Sequence, residues 1–135
     1  MEAVERAPFD AAPGRGRDRR TASGPGRPSA ETVLRDLSRG ARRISADHEV
    51  SLRGMTRDGA RLCLEGFLRQ RQRQRVRYVR VIHGKGLRSP GGVGVLRREV
   101  PEWLDAWRPE LVERWRTAER RDGDDGALYV VLRTP

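Results

Sequence analysis

Cysteine is almost missing from this chain: Cys63 stands alone, so no internal disulfide can form and no cysteine-based metal cage exists. Its helical spacing from Ala60 and Phe67 marks it as a packed, inert thiol. There are two histidines, His48 and His83, too few for a zinc site. No apolar run is long enough to span a membrane, and the first residues lack the apolar core of a signal peptide. A cytoplasmic protein with no membrane partner is expected. Acid is in the minority, 19 Asp and Glu against 29 Lys and Arg, a formal charge of +10. That imbalance favours a polyanionic partner, nucleic acid before membrane.

Lysine is also scarce. Lys85 is the one lysine, and the other basic residues are arginine. Together with abundant Ala, Gly and Pro, this is also what a coding bias would produce, so the distribution of charge is more telling than its total. Residues 61–90 carry Arg61, Arg69, Arg71, Arg73, Arg75, Arg77, Arg80, Lys85 and Arg88 against one acid, Glu65. A polyanion-binding surface and a merely biased composition both remain open from this count.

In residues 1–30 large apolar side chains are rare, and Arg, Ala, Gly and Pro dominate. Such a segment buries too little surface to offset its ordering entropy, which predicts a disordered basic tail. Residues 31–46 read as a linker with a short helix, through Val33, Leu34, Leu37 and Ile44. The compact domain is expected over 47–135. Val50 and Leu52 alternate with polar residues as in a half-buried strand. Thr56 is a helix cap, and Ala60, Leu64, Phe67, Leu68 and Arg71 share one face of a helix to about Gln74. Val76 to His83 is nearly continuous in apolar character, as in a parallel strand covered on both faces. Val95, Leu96, Val100, Trp103, Leu104 and Trp107 recur at helical spacing, with Pro101 expected to kink or restart that helix. Two strands, 111–118 and 127–133, then flank an Asp- and Gly-rich turn. The prediction is an α/β two-layer sandwich with a mixed four-stranded sheet, in the order β-α-β-α-β-β.

The most informative stretch is Arg80 to Gly92, Arg-Val-Ile-His-Gly-Lys-Gly-Leu-Arg-Ser-Pro-Gly-Gly. A strand delivers His83, Lys85 and Arg88 into a loop with four glycines. Glycine permits positive φ and close approach of a large anion, and exposed N–H groups in such a loop suit phosphate. His83 is a side-chain type that moves protons near neutral pH. Gly84, Lys85, Gly86 and Arg88 are candidate phosphate contacts. No Gly-Lys-Ser/Thr follows at P-loop spacing, which argues against nucleotide hydrolysis.

Val81-Ile82-His83-Gly84-Lys85-Gly86, followed by Ser89, Gly91, Gly92, Val95-Leu96 and Trp103-Leu104, and closed by Gly126-Ala127-Leu128-Tyr129-Val130-Val131-Leu132, resembles the Smr domain, the small MutS-related module. The resemblance covers about residues 47–134. It implies an α/β sandwich with a mixed four-stranded sheet, and binding of RNA or DNA. Many members are endonucleases that nick DNA or cut RNA, some on stalled or collided ribosomes, so a ribosome is a further implied partner. The family also has a strand ending in Leu-Asp-Leu-His-Gly, whose Asp and His are implicated in cleavage. Here that stretch is Val50-Ser51-Leu52-Arg53-Gly54. Arginine stays protonated and cannot serve as a base. Gly59 likewise stands where the family usually has an acid.

These departures turn the chemistry towards binding, with Arg53, His83, Lys85 and Arg88 as a cationic cluster and Arg73 and Arg75 as a basic ridge. Three readings stay open: a catalytically silent binder, an endonuclease in which His83 transfers a proton, and an adaptor whose tail meets a protein. For cleavage, other proton acceptors would be His48, Asp47 or Asp58. His83 can alternatively only shape its loop, and Trp103, Trp107 and Trp115 can be core or stack on bases. No cofactor is demanded; Mg²⁺ held by substrate phosphates is compatible.

Overall fold

The computed structural model describes residues 27–84 and 94–135. The expected tail falls mostly outside these residues, as do Lys85, Gly86 and Arg88.

Helix α1, Ala30–Ser38, starts at Ser29, whose hydroxyl accepts the Thr32 N–H. Strand β1 is Glu49–Ser51, helix α2 Arg57–Arg73 and strand β2 Tyr78–Ile82. Helix α3, Val95–Ala106, and strands β3, Val112–Thr117, and β4, Ala127–Leu132, complete the order. The sheet runs β1-β2-β4-β3. β1 and β2 are parallel, with Val50 opposite Val81, while β4 runs antiparallel to both β2 and β3. This is the mixed four-stranded sheet expected.

Leu52, Val79, Val81, Leu128 and Val130 present one apolar face to Ala60, Leu64 and Leu68 of α2 and to Val100, Trp103 and Leu104 of α3. The opposite face carries Ala127, Tyr129 and Val131, covered by Val33, Leu34 and Leu37 of α1. The sandwich therefore gains a partial third layer at β4 and β3.

Two expectations need correction. The strand buried on both faces is β4, all six residues of it, whereas β2 alternates. On the α1 side β2 carries Tyr78, Arg80 and Ile82, only partly buried at the edge of the α1 cluster, and Arg80 is accommodated there by Glu49 and Asp122. Pro101 does not restart the helix: α3 is continuous from Val95 to Ala106 across it. Burial of Val100, Trp103 and Leu104 outweighs a helix-interior proline penalty of about 3 kcal/mol.

Candidate nucleic-acid interface

Because β1 and β2 are parallel neighbours, their C-terminal ends reach the same pole of the sheet. Leu52 N–H donates to Ile82 O at 2.7 Å, holding the two chains together just beyond β1. The turn that follows carries Gly54 at φ +79 and exposes Arg53. Beyond β2, the N–H groups of His83 and Gly84 both donate to Gly126 O, at 2.9 and 3.0 Å. Gly84 adopts φ +85, and a β-carbon there would stand 3.5 Å from Arg53 Cγ and 3.7 Å from Arg53 Nε. Arg53 thus lies along the backbone of the histidine-bearing turn, as its sequence position suggested. Its guanidinium has no hydrogen-bond partner among the described residues.

Only 6% of His83 is exposed, and its Nδ1 donates to Gly84 O at 2.7 Å. That bond selects the Nδ1–H tautomer and leaves Nε2 as the acceptor nitrogen. Burial lowers the imidazole pKa below its ordinary value; the Gly84 carbonyl opposes this and the nearby Arg97 adds to it. Asp125, paired with Arg97 at 2.5 Å, raises it slightly. His83 is therefore neutral at physiological pH and held rigidly.

A shallow cleft opens beside it on the α1 side of the sheet, lined by Ser51, Arg53, Arg80, Ile82, Asp122 and Gly126 among others. Its floor is an ion-pair chain. Arg80 donates to Glu49 at 2.6 Å and to Asp122 at 3.1 Å. The other Asp122 oxygen accepts the Tyr129 hydroxyl, which itself accepts the Glu119 N–H at 3.2 Å. Burial, with the Asp122 bond, pushes the Tyr129 phenol up to about 12. Arg121 donates to Leu37 O at 2.9 Å and to Ser38 O. Arg80 and Arg121 are thus committed within the protein, and among the described residues lining the cleft Arg53 is the cation open to a ligand.

The other candidates lie elsewhere. His48 stacks on Tyr78 with ring centroids 4.5 Å apart, and its Nδ1 accepts the Ser45 N–H at 3.2 Å. It sits at the far end of β1, five residues or about 16 Å from Arg53 at ~3.3 Å per residue, so it does not serve that pole. Asp47 precedes it, and its carbonyl accepts from Arg71 at 2.7 Å. Asp58 is exposed in the first turn of α2. Arg73 and Arg75, exposed at the C-terminal end of α2, are at the opposite pole from His83. Arg71 is structural, its guanidinium 4.5 Å from the Phe67 ring. Trp103 is core, and Trp115 donates to Asp105 at 2.8 Å. Among the described residues no three His, Cys, Asp or Glu side chains gather as a metal site.

In the sequence Asp122 and Gly123 stand out only as turn punctuation, and Gly126 only as that and as the start of the closing motif. The signal for their role is the β4-next-to-β2 pairing, which brings the end of that turn against His83. Local pattern does not reveal a strand order.

The Smr domain profile matches residues 50–133. Endonuclease MutS2 of Caldicellulosiruptor saccharolyticus is 34% identical over 92 residues, 68% of this chain but 11% of that protein. The chain spans under half the length of the curated relatives it matches. Among solved structures, the Smr domain of Thermus thermophilus MutS2 is 33% identical with a TM-score of 0.54, covering 63% of this chain and 96% of that one. YdaL, a stand-alone small MutS-related protein from Escherichia coli, is 27% identical with a TM-score of 0.66, covering 79% of each chain. No helix among the described residues is long and apolar enough to cross a membrane. With the profile covering residues 50–133, more than half of its length, this chain belongs to the Smr domain family.

Proposed function

We propose that this chain is a cytoplasmic nucleic-acid-binding Smr protein that grips the phosphate backbone at the Arg53–Gly84 pole without cutting it. The observation that carries the reading is Arg53 itself: a guanidinium stands beside the glycine turn where the family motif has a histidine. A planar fork there matches a phosphate in two parallel hydrogen bonds and cannot accept a proton. Ser51 lacks the carboxylate that would orient a base, and Asp122 is already engaged by Arg80 and Tyr129. Lys85 and Arg88 come one and four positions after Gly84 in sequence and would add positive charge next to it. Contacts made mainly to phosphate are weakly sequence-specific and salt-sensitive.

A second reading rests on His83. Its fixed tautomer leaves Nε2 able to take a proton from an attacking hydroxyl or water, while Arg53 and Lys85 stabilise charge on phosphorus. The chain would then be an endonuclease acting on DNA or RNA, including ribosome-bound messenger RNA, with Mg²⁺ held by substrate phosphates. Its near-complete burial favours the binder.

Incubation of the purified protein with labelled single-stranded RNA, supercoiled DNA and nicked DNA, with and without Mg²⁺, separates the two. The binder retards these substrates intact, and retardation is lost on Arg53→Glu. Products that vanish on His83→Ala would instead establish the endonuclease. Neither products nor retardation at low salt would leave an adaptor that recognises protein. In the double variant Ser51→Asp, Arg53→His, cutting is expected to appear if those two positions account for its absence.

A further inference from the structure

At the pole away from Gly84 lie five arginines from four parts of the chain: Arg75 and Arg77, between α2 and β2, act on Arg27 ahead of α1, while Arg77 and Arg108, after α3, act on Arg133 beyond β4. Arg77 is the hub. It donates to the Glu113 carboxylate at 2.8 Å, to Leu132 O at 2.6 Å and to Pro28 O at 3.0 Å. Its Nε is buried with no partner among the described residues. Arg27 donates to the Thr134 hydroxyl and Arg133 to Arg108 O. Gln72 ties Glu110 O to Arg133 O, at 3.1 and 3.3 Å. The segments are laced together, so these charges cannot spread apart.

The pKa of half-buried Arg133 is lowered by burial, opposed by Glu113 and helped by Arg108 and Arg77; that of Arg27 is lowered too, by local desolvation and Arg77, although the residue as a whole is exposed. Arg75 is placed against backbone preference. At φ +62 it occupies the left-handed position that closes α2, with its N–H on Gln72 O and the Val76 N–H on Arg71 O, both 2.9 Å. Glycine would fill that position with less strain by about 1 kcal/mol. Arg75 and Arg108 are exposed, and their side chains have no hydrogen-bond partner among the described residues.

We propose that this arginine cluster is a second phosphate-contacting surface, so that one nucleic-acid backbone is held at both poles of the sheet. The inference rests on the reading of the chain as a nucleic-acid binder. A bound phosphate would relieve the mutual repulsion of guanidinium groups that the fold confines. The span also favours an extended polyanion. Arg77 and His83 are six residues apart along β2, about 20 Å at ~3.3 Å per residue, or roughly six steps of a duplex at ~3.4 Å each.

The test measures the affinity of the full chain for a labelled duplex of about 20 base pairs, as DNA and as RNA, across a salt series. In the double variant Arg75→Gly, Arg108→Gln the slope of log K against log salt should become shallower by about two, with a roughly tenfold loss of affinity at low salt. Arg75→Gly relieves the positive φ, so its melting temperature should rise, which separates lost contact from lost fold. Parental affinity and slope in the double variant would overturn the proposal, as would displacement of the duplex by polyglutamate as readily as by unlabelled duplex. Arg53→Ala is the independent arm. If it changes nothing while the double variant weakens binding, contact at the far cluster stands, but the Gly84-pole reading and the grip at both poles fail.

Discussion

Arg53 runs alongside Gly84, its Cγ 3.5 Å from the place a β-carbon would take. Two segments some thirty residues apart are brought there by the parallel pairing of β1 with β2. The contact is compact because one partner has no side chain, and the guanidinium beyond it stays open to solvent.

Gly84→Ala is expected to destabilise the protein through its positive φ more than through crowding, since 3.5 Å is an ordinary contact. The cost should be about 1–2 kcal/mol, or a fall in melting temperature of roughly 4–16 °C. An unchanged melting temperature would show that the turn does not need its left-handed backbone.

Arg53→Glu should weaken binding to any polynucleotide and flatten the salt slope by about one, whereas Arg53→Lys should retain part of the affinity. Parallel salt titrations of the two variants check this. Equal binding by Arg53→Glu and the parent would rule out contact at that pole.

Both His48 and His83 have pKa values lowered in the folded state, chiefly by burial. The unfolded chain then binds more protons below about pH 6.5, so their stabilising contribution is complete above that pH and is lost as pH falls through the folded values. Urea midpoints should drop from about pH 6.5 downward, and less steeply in His83→Gln. Identical midpoints for the parent at pH 7.5 and 5.5 would contradict it.

Tyr129 is raised to about 12, so its contribution is full below pH ~10 and is lost as pH rises towards the folded value. In an ultraviolet titration of the folded protein Tyr129 should ionise near its raised value. Tyr129→Phe leaves Asp122 short of one donor and should cost about 1–3 kcal/mol in denaturant unfolding.

Two leucines of α2 should behave oppositely. Leu64 is fully buried between helix and sheet, and Leu64→Ala should cost about 2–5 kcal/mol. Leu62 is 73% exposed, and Leu62→Ala should stay within about 0.5 kcal/mol. Comparable losses at the two positions would mean that α2 packs by a different face.

The amphipathic face of α2 through Ala60, Leu64 and Leu68 was legible in the sequence because helical periodicity is a local property, and so was its Thr56 cap. The glycine turn after β2 was legible for the same reason. The partition of burial between β2 and β4 was not, because near-continuous apolar strands look alike until their neighbours are known. Nor was the continuity of α3, where packing of Trp103 and Leu104 overrides what Pro101 does locally. The basic run over 61–90 left a polyanion-binding surface and a merely biased composition both open. In the fold, Arg71, Arg77 and Arg80 turn to internal partners, and Arg53 and Arg75 face opposite poles.

By itself, then, the order of residues determined the elements, the family and the loss of the Asp and His at positions 51 and 53. It could do so because spacing, capping and motif identity are written within a few residues of one another. Only the tertiary structure decided which cations are free and which are spent on Glu49, Asp122 and Leu132 O. Those pairings join residues tens of positions apart, and strand order alone sets which charges meet.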